Sequence, residues 1–211
     1  MPKRTFNRLE DEKKERVMRA AIEEFQANGF EKAKIEAIAQ SAGVAKGSLY
    51  QYFDDKKELF LYSVTWSLEY FMKIIDRQTP LKEMDVYDYF LSGSRERFEM
   101  LKKEPLLVAF SMDVTSGRYG SLAQEANKAL YQVGEDYELR LIANGKKKGT
   151  VRSDLADKTL LLFFQGVTEK FTAEIMAKAK DFKQEPTQEQ YSELEELMKN
   201  MVLLLKEGMG R

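Results

Sequence analysis

The sequence predicts an all-α protein of about nine helices. Glycine and proline are sparse, with 12 and 4 among 211 residues. Nearly every long segment repeats apolar residues at intervals of three and four, which is the helical period. The alternation of β-branched residues that is typical of strands is nearly absent. We therefore predict a chain of helices and no convincing strand.

Residues 1–55 are predicted to form a domain of three short helices. The first apolar stripe stops at Gly29, where glycine suits the left-handed residue that ends a helix. A second helix ends at Gly43. A third carries Leu49 and Phe53 on its inner side.

Residues 56–211 are predicted to form a larger helical domain. Asp55 and Glu58 have the spacing of a capping box and open a long helix that Pro80 ends. The Lys146-Lys147-Lys148 run fits a helix C-terminus, where the dipole favours cations. The other apolar stripes predict helices over about 85–103, 106–116, 122–148, 155–180 and 187–207.

The composition excludes several kinds of chemistry. The chain has no cysteine and no histidine, which removes thiol nucleophiles, iron–sulfur clusters, Ser–His triads and His-ligated metals. Paired carboxylates such as Asp54 and Asp55 fall where capping or solvated acids are expected. We expect no metal, no cofactor and no enzymatic activity. Because neither a signal peptide nor ~18 consecutive apolar residues are present, we expect a cytoplasmic protein without a membrane partner.

Residues 34–53, KIEAIAQSAGVAKGSLYQYF, have the spacing of a helix-turn-helix. With Leu49 and Phe53 facing inward, the opposite arc of the second helix carries no carboxylate. That arc holds Lys46, Gly47, Tyr50 and Gln51, and it is flanked by Ser48 and Tyr52. Its cation, hydroxyls and amide can bind phosphates and base edges in a major groove. The alternative is an ordinary helical pair with half-buried tyrosines.

Net charge does not decide between these alternatives. Residues 1–57 carry 12 basic and 10 acidic side chains, a net charge of +2, which is a weak electrostatic signature for a nucleic-acid-binding domain. A positive electrostatic field at a DNA-binding surface must therefore come from where the basic residues lie, and not from their number. Lys3, Arg4 and Arg8 precede the first acid, Glu10, and can form an arm along a DNA backbone.

A longer pattern of apolar, glycine and aromatic positions covers about residues 14–60. It consists of Val17, Ala20-Ala21, Phe25, Gly29-Phe30, Ile38-Ala39, Ala42-Gly43-Val44, Lys46-Gly47-Ser48-Leu49-Tyr50, Tyr52-Phe53, Lys56 and Leu59. In order and spacing this pattern resembles the N-terminal signature of the tetracycline-repressor (TetR) family. The resemblance implies a homodimeric transcription regulator, most often a repressor that a ligand releases from a palindromic DNA operator. The alternative is an activator, or an architectural or partner-recruiting protein without a small-molecule inducer.

The resemblance also implies roles for single residues. It assigns base edges or adjacent phosphates to Lys46, Gly47 and Ser48. It assigns phosphate contacts to Tyr50, Tyr52 and Lys56. Gln51 is implied to read a base or to bind the backbone. Lys34 stands where the family often has a capping Thr or Ser and can reach the same phosphate, while Ala45 replaces the usual Ser cap of the recognition helix, a loss of about 1 kcal/mol.

Residues 56–211 are rich in aromatic residues and methionine. One interpretation is a cavity for a small apolar or amphipathic effector, because such sites are mostly apolar with a few polar groups. The alternative is that these side chains fill the core. The resemblance favours a cavity without saying which residues line it. Our candidates for its lining are Trp66, Tyr70, Phe90, Phe110, Asp113, Gln165 and Glu169.

The last two predicted helices carry wide apolar bands. A solvent-facing helix of a monomer needs a narrower band. Two such helices per subunit can pair with their copies as a four-helix bundle under two-fold symmetry. The alternative is packing within one chain. The candidate interface residues are Phe164, Phe171, Leu194, Leu197, Met201 and Leu205.

Overall fold

The structure of the protein is a computed structural model that describes residues 2–78, 80–91, 103–181 and 188–209. Its helices are α1 (Arg4–Asn7), α2 (Asp11–Lys32), α3 (Ile35–Ala42), α4 (Lys46–Tyr52), α5 (Lys56–Gln78), α6 (described over 86–91), α7 (Pro105–Thr115), α8 (Ala123–Lys148), α9 (Asp157–Asp181) and α10 (Gln188–Met209). Short 3-10 turns lie at Leu81–Glu83 and Gly120–Leu122. Within the described ranges there is no β-strand, so the all-α prediction is confirmed.

Most predicted helices are present, with shifted ends. Gly29 has φ +68° as expected, but the helix resumes for one more turn and ends at Lys32. The lysine run ends α8 as predicted. Of the helix predicted over 85–103, residues 86–91 are helical, and 92–102 lie outside the described residues. Helix α1 was missed because four residues are too few to show a period.

The start of α5 is fixed by the predicted capping box. The Asp55 carboxylate accepts the N–H of Glu58 at 2.7 Å. In return, the Glu58 carboxylate accepts the N–H of Asp54 at 2.6 Å. The first bond satisfies an N–H group that a helix start leaves free, and the second ties the residue before the cap to the first turn of α5. Because α4 ends at Tyr52, the box sets the direction in which the chain leaves α4.

The chain divides into two compact units. Unit 1 contains Met1–Ile74 and Glu104–Gly134, and unit 2 contains Ile75–Lys103 and Glu135–Arg211. The helix-turn-helix residues therefore belong to a unit that also includes most of α5, all of α7 and the start of α8. Compact units and functional domains are different divisions of a chain, so the domain boundary at residue 55 stays a prediction.

An aromatic cluster around Phe60 forms the centre of unit 1. Its ring lies 5.1 Å from that of Phe25 and 4.7 Å from that of Tyr119, between ring centroids. Phe30 and Phe110 also contact it, at 5.5 and 6.2 Å. Edge-on and tilted ring pairs of this kind stabilise a core beyond the area that they bury.

In unit 2, the start of α6 is held by Asp85. Its carboxylate accepts the N–H groups of Tyr87 and Asp88 at 2.9 Å and the hydroxyl of Thr150 at 2.7 Å. From α8, the Asn144 amide donates to two carbonyls in the segment before α6. None of the helices in the described part of the chain is long and apolar enough to cross a membrane.

A charged network within unit 1 joins α2, α5 and the start of α7. The Arg19 guanidinium donates to both carboxylate oxygens of Glu104, at 2.7 and 2.8 Å. It also donates to Glu15 at 2.8 Å and to the Tyr70 hydroxyl at 2.9 Å, and that hydroxyl donates to Glu104 at 3.0 Å. The hydrogen bonds from Arg19 hold the pKa of Glu104 below its usual range. A two-fork guanidinium–carboxylate pair is among the stronger polar contacts in proteins.

We expect Glu104→Gln to lower the free energy of unfolding by about 2 kcal/mol, because it removes the two-fork partner of a half-buried guanidinium and leaves only Glu15 as its charged partner. Urea denaturation at pH 7 measures this loss. Glu12→Gln is the matched control, since it removes an 84% exposed partner from Arg16. That change should cost less than about 0.5 kcal/mol. Equal losses in the two variants would contradict the role given to Glu104.

The difference in unfolding free energy between wild type and Glu104→Gln should depend on pH. Because the folded pKa of Glu104 is lowered, its stabilisation is complete above the unfolded pKa of about 4.3 and is lost as pH falls through the lower folded value. The difference in unfolding free energy between wild type and Glu104→Gln should therefore shrink below about pH 4.3. A difference that stays constant down to pH 2 speaks against the ion pair.

Candidate nucleic-acid interface

The predicted helix-turn-helix is present as α3, a three-residue turn and α4. Gly43 takes the left-handed conformation, with φ +66°. The N–H of Gly43 and that of Val44 return to carbonyls in the last turn of α3, at 3.2 and 3.0 Å. This closure satisfies carbonyl groups at the end of α3 and sets the angle at which α4 follows.

The outer side of α4 is polar and open. Leu49 is 2% exposed and faces inward, as predicted, whereas Tyr50 is 47% exposed. Lys46, Gly47 and Gln51 are also exposed, and Ser48 is half-buried. A Cβ atom built on Gly47 would meet nothing within 4 Å, so another molecule can approach the backbone there. We call the exposed residues Lys46, Gly47, Tyr50 and Gln51 the outer face of α4.

Tyr52 does not belong to this outer face, which corrects our sequence prediction. It is 6% exposed, and its ring lies edge-on to Phe6 at 5.7 Å. Phe6 belongs to α1, a helix that the sequence pattern did not predict. Because α1 covers that side of α4, Tyr52 fills the core instead of facing outward.

Lys56 is the first residue of α5, and its half-buried side chain lies against the end of α2. Its ammonium group donates to the carbonyls of Glu31 and Ala33, at 3.1 and 3.2 Å. It also lies 4.7 Å from the ring centroid of Phe30. A phosphate contact by Lys56 stays a prediction, and it would have to compete with these three contacts.

Lys34 is exposed at the start of α3. Its side chain makes no cap, but its N–H donates to the Glu24 carboxylate at 2.9 Å. Ala45 likewise provides no side-chain cap to α4. Lysine and alanine side chains cannot accept a hydrogen bond from a backbone N–H, so neither helix has the cap that Ser or Thr would give. At the start of α3, the Glu24 carboxylate accepts one backbone N–H, that of Lys34.

Glu36 was not among the predicted site residues, and it lies beside the outer face of α4. Its carboxylate, on α3, forms an ion pair with the ammonium group of Lys46. The two side chains are 61% and 51% exposed. This contact lowers the pKa of Glu36 and raises that of Lys46. Because the two residues lie ten positions apart on different helices, no helical spacing in the sequence links them.

We expect Glu36→Gln to strengthen binding to any DNA duplex by about two- to five-fold, because it frees Lys46 and removes a negative charge near the phosphates. The dependence of log K on log[salt] should become steeper by up to about 0.9. Fluorescence anisotropy over a range of salt concentrations measures both. Glu23→Gln, which removes an exposed acid from α2, is the control and should change neither. Weaker binding by Glu36→Gln would show that the carboxylate itself favours DNA binding.

Four of the predicted effector contacts lie in unit 1. The rings of Trp66 and Tyr70 lie 5.2 Å apart. Phe110 is fully buried among aromatic rings, including Tyr119 at 5.7 Å, and so fills the core. Asp113 forms an ion pair with Arg118.

The other three lie in unit 2. Phe90 is 2% exposed, and its ring lies 5.0 Å from that of Phe171. The Gln165 amide donates to the Glu138 carboxylate at 2.7 Å, and burial raises the pKa of Glu138. Glu169 is exposed. The assignment of these seven residues to one cavity stays a prediction.

The predicted dimer interface needs a correction. Phe164 and Leu205 are 0% and 1% exposed within a single chain, so their side chains face the interior and do not form a surface. Leu194 lies on α10, and its side chain is outside the described residues. Half-buried positions are Phe171, Leu197 and Met201. The exposed apolar side chains of α9 and α10 are instead Leu162, Phe163, Leu203 and Leu204, at 60%, 45%, 57% and 59%.

These observations define the class of protein, an all-α chain with an N-terminal helix-turn-helix. Residues 17–62 match the model of the family described as bacterial regulatory proteins, tetR family. That range runs from α2 into α5 and contains α3 and α4. The helix-turn-helix part of the chain is therefore similar to the domain of that family.

The sequence relatives match over the same domain. The negative transcriptional regulator IcaR of the biofilm operon icaADBC in Staphylococcus aureus (strain Newman) is 34% identical over 62 residues, which are 29% of this chain and 33% of that protein. Relatives from Bacillus subtilis are matched over 18–28% of their length. The likeness therefore covers about a third of each relative or less.

Solved structures resemble the chain over nearly its whole length. A TetR-family transcriptional regulator from Mesorhizobium loti MAFF303099 has a TM-score of 0.65 and 20% identity, covering 99% of this chain and 100% of that one. The regulator FadR from Bacillus subtilis, in complex with stearoyl-CoA, has a TM-score of 0.61 and 20% identity, covering 92% and 98%. At these identities the likeness shows the fold.

Proposed function

We propose that the protein is a transcriptional repressor. In this proposal the protein is a homodimer, and each subunit contacts a palindromic operator through α4. The dimer leaves the DNA when an apolar or amphipathic effector binds. The observation that carries the proposal is the outer face of α4, which is polar and exposed while Leu49 on the opposite side is buried. The family match of residues 17–62 supports it. The repressor activity of IcaR supports the direction of regulation.

The residue types on the outer face suit a major groove. A helix of seven residues is about 10 Å long and enters a groove about 12 Å wide. Lys46 is suited to guanine, and the Gln51 amide can pair with adenine. Tyr50, Ser48 and Lys34 carry groups that bind phosphates. The missing Cβ of Gly47 lets the backbone come close to the bases.

Selection of bound fragments from random duplex DNA should yield a palindromic site. On that site we expect Tyr50→Ala to weaken binding by about ten-fold, the usual loss when a hydrogen bond to a charged group is removed. Tyr131→Ala is the matched control, since Tyr131 is a similarly exposed tyrosine of α8, at 55%. It should bind as wild type does. Selection that enriches no sequence, or equal losses in the two variants, would refute the proposal.

We propose that the exposed apolar side chains of α9 and α10 form the dimer interface. Helices α9 and α10 contact each other, and a Cβ atom on Gly208 would lie 3.1 Å from the Phe163 ring, so the two helices are close there. Exposed apolar residues that cluster on a surface mark interaction sites. A two-fold axis would pair each patch with its copy. The same symmetry presents two recognition helices to half-sites roughly 34–36 Å apart.

We expect Leu204→Glu to convert the dimer to monomers at micromolar concentration, because two-fold symmetry brings like charges together in an apolar contact. Sedimentation velocity measures the mass. Leu91→Glu places the same charge at another exposed leucine of unit 2, at 45%, and should leave the dimer intact. A Leu204→Glu variant that remains dimeric would place the interface elsewhere.

The effector is proposed to be a molecule with a long apolar part. The aromatic content of residues 56–211 supports this class, and the stearoyl-CoA bound by FadR makes acyl thioesters the first probes. An effector releases DNA only if it binds the DNA-free conformation better. A coupling of about 1–3 kcal/mol changes operator affinity 5–150-fold. Titration of acyl thioesters, hydrophobic cations and aromatic compounds into the operator complex tests this, and an unchanged affinity with all three would contradict it.

A further inference from the structure

Helix α4 has little intrinsic stability. It has seven residues and contains Gly47, and Ala45 gives it no side-chain cap. Isolated helices shorter than about 12 residues are marginal in water. The last four carbonyls of any helix also lack partners within the helix. The conformation of α4 must therefore be held by groups outside it.

The N-terminal residues supply those groups. Lys3 and Thr5 together donate to four consecutive carbonyls at the end of α4, those of residues 50–53. The backbone N–H of Lys3 donates to Tyr52 at 2.8 Å. The Lys3 ammonium donates to Tyr50 at 2.9 Å and approaches the Phe53 carbonyl at 3.5 Å. The Thr5 hydroxyl donates to Gln51.

The segment that carries these donors is itself fixed. Phe6 of α1 is fully buried, with its ring 4.9 Å from that of Phe53 and 5.5 Å from that of Tyr62 on α5. Pro2 is buried as well. The Lys3 ammonium also forms an ion pair with Asp54 at 2.8 Å. A cation at this position lies against the negative end of the α4 dipole.

These contacts distinguish Lys3 from a phosphate-binding residue. An ammonium group has three N–H donors. In Lys3 they point to two carbonyls and one carboxylate. Arg4 and Arg8, by contrast, are exposed on the same segment. The Lys3 ammonium group therefore binds the C-terminal end of α4 and the residues that follow it.

We propose that α1 holds the recognition helix in its DNA-binding conformation and that Lys3 is the positioning residue. The stabilisation of the α4 conformation by these contacts is a property of the free protein. Its effect on affinity rests on the proposed function. The two parts are tested separately.

The first test is amide hydrogen exchange of the free full-length chain. Lys3→Met should speed exchange of the amides of residues 49–53 by about ten-fold, while the thermal unfolding transition remains. Thr5→Val should also speed exchange of these amides, by a smaller factor. It replaces Lys3→Met in the experiment if the Lys3 variant folds poorly. Lys13→Met removes the same charge from α2 and should change nothing in α4. Unchanged exchange of residues 49–53 in both the Lys3 and Thr5 variants would overturn the proposal.

The second test is binding of the selected operator over a range of salt concentrations. Lys3→Met should weaken binding about ten-fold with the same slope of log K against log[salt], and Lys3→Arg should restore most of the affinity. A slope that falls by about 0.9 would make Lys3 a phosphate contact, and wild-type affinity would remove any role in binding. Either result overturns the positioning role. If wild type prefers no duplex, the proposed function fails, and the exchange experiment still decides whether α1 holds α4.

Discussion

The DNA-binding interface proposed for this chain depends on a seven-residue helix that cannot hold its own conformation in water. Helix α4 is instead fixed by its buried side, where Leu49 and Phe53 are each 2% exposed. Donors from Lys3, the residue before α1, fix its C-terminal end. The capping box at Asp55 then fixes the direction of the chain after it. A short helix held in this way presents its outer face as a rigid surface, which reduces the entropy lost on binding.

Three lysines around α4 are already engaged in the free protein. Lys46 pairs with Glu36, Lys3 pairs with Asp54, and Lys56 donates to carbonyls at the end of α2. Binding of a phosphate by Lys46 is therefore an exchange of one anion for another. Such an exchange yields less affinity than a free cation would. It also weakens binding to arbitrary duplexes, for which the phosphate contribution dominates.

Periodicity and glycine positions predicted most of the fold, since helices that bury one face repeat every three to four residues. Spacing also predicted the capping box and the inward side chain of Leu49. Contacts between distant residues were not predictable in this way. The burial of Tyr52 depends on α1, and the ion pair of Lys46 depends on Glu36 in another helix. Phe164 and Leu205 were misassigned because wide apolar bands hide which side faces the core.

The central claim is that the outer face of α4 meets the bases and phosphates of a duplex. The most direct measurement is photocrosslinking of the selected operator to full-length protein that carries a photoreactive aromatic side chain at one position. We predict efficient crosslinks from residue 50, on α4, and none from the similarly exposed residue 131, on α8. Crosslinks from residue 131 with none from residue 50 would contradict this account of how the protein binds DNA.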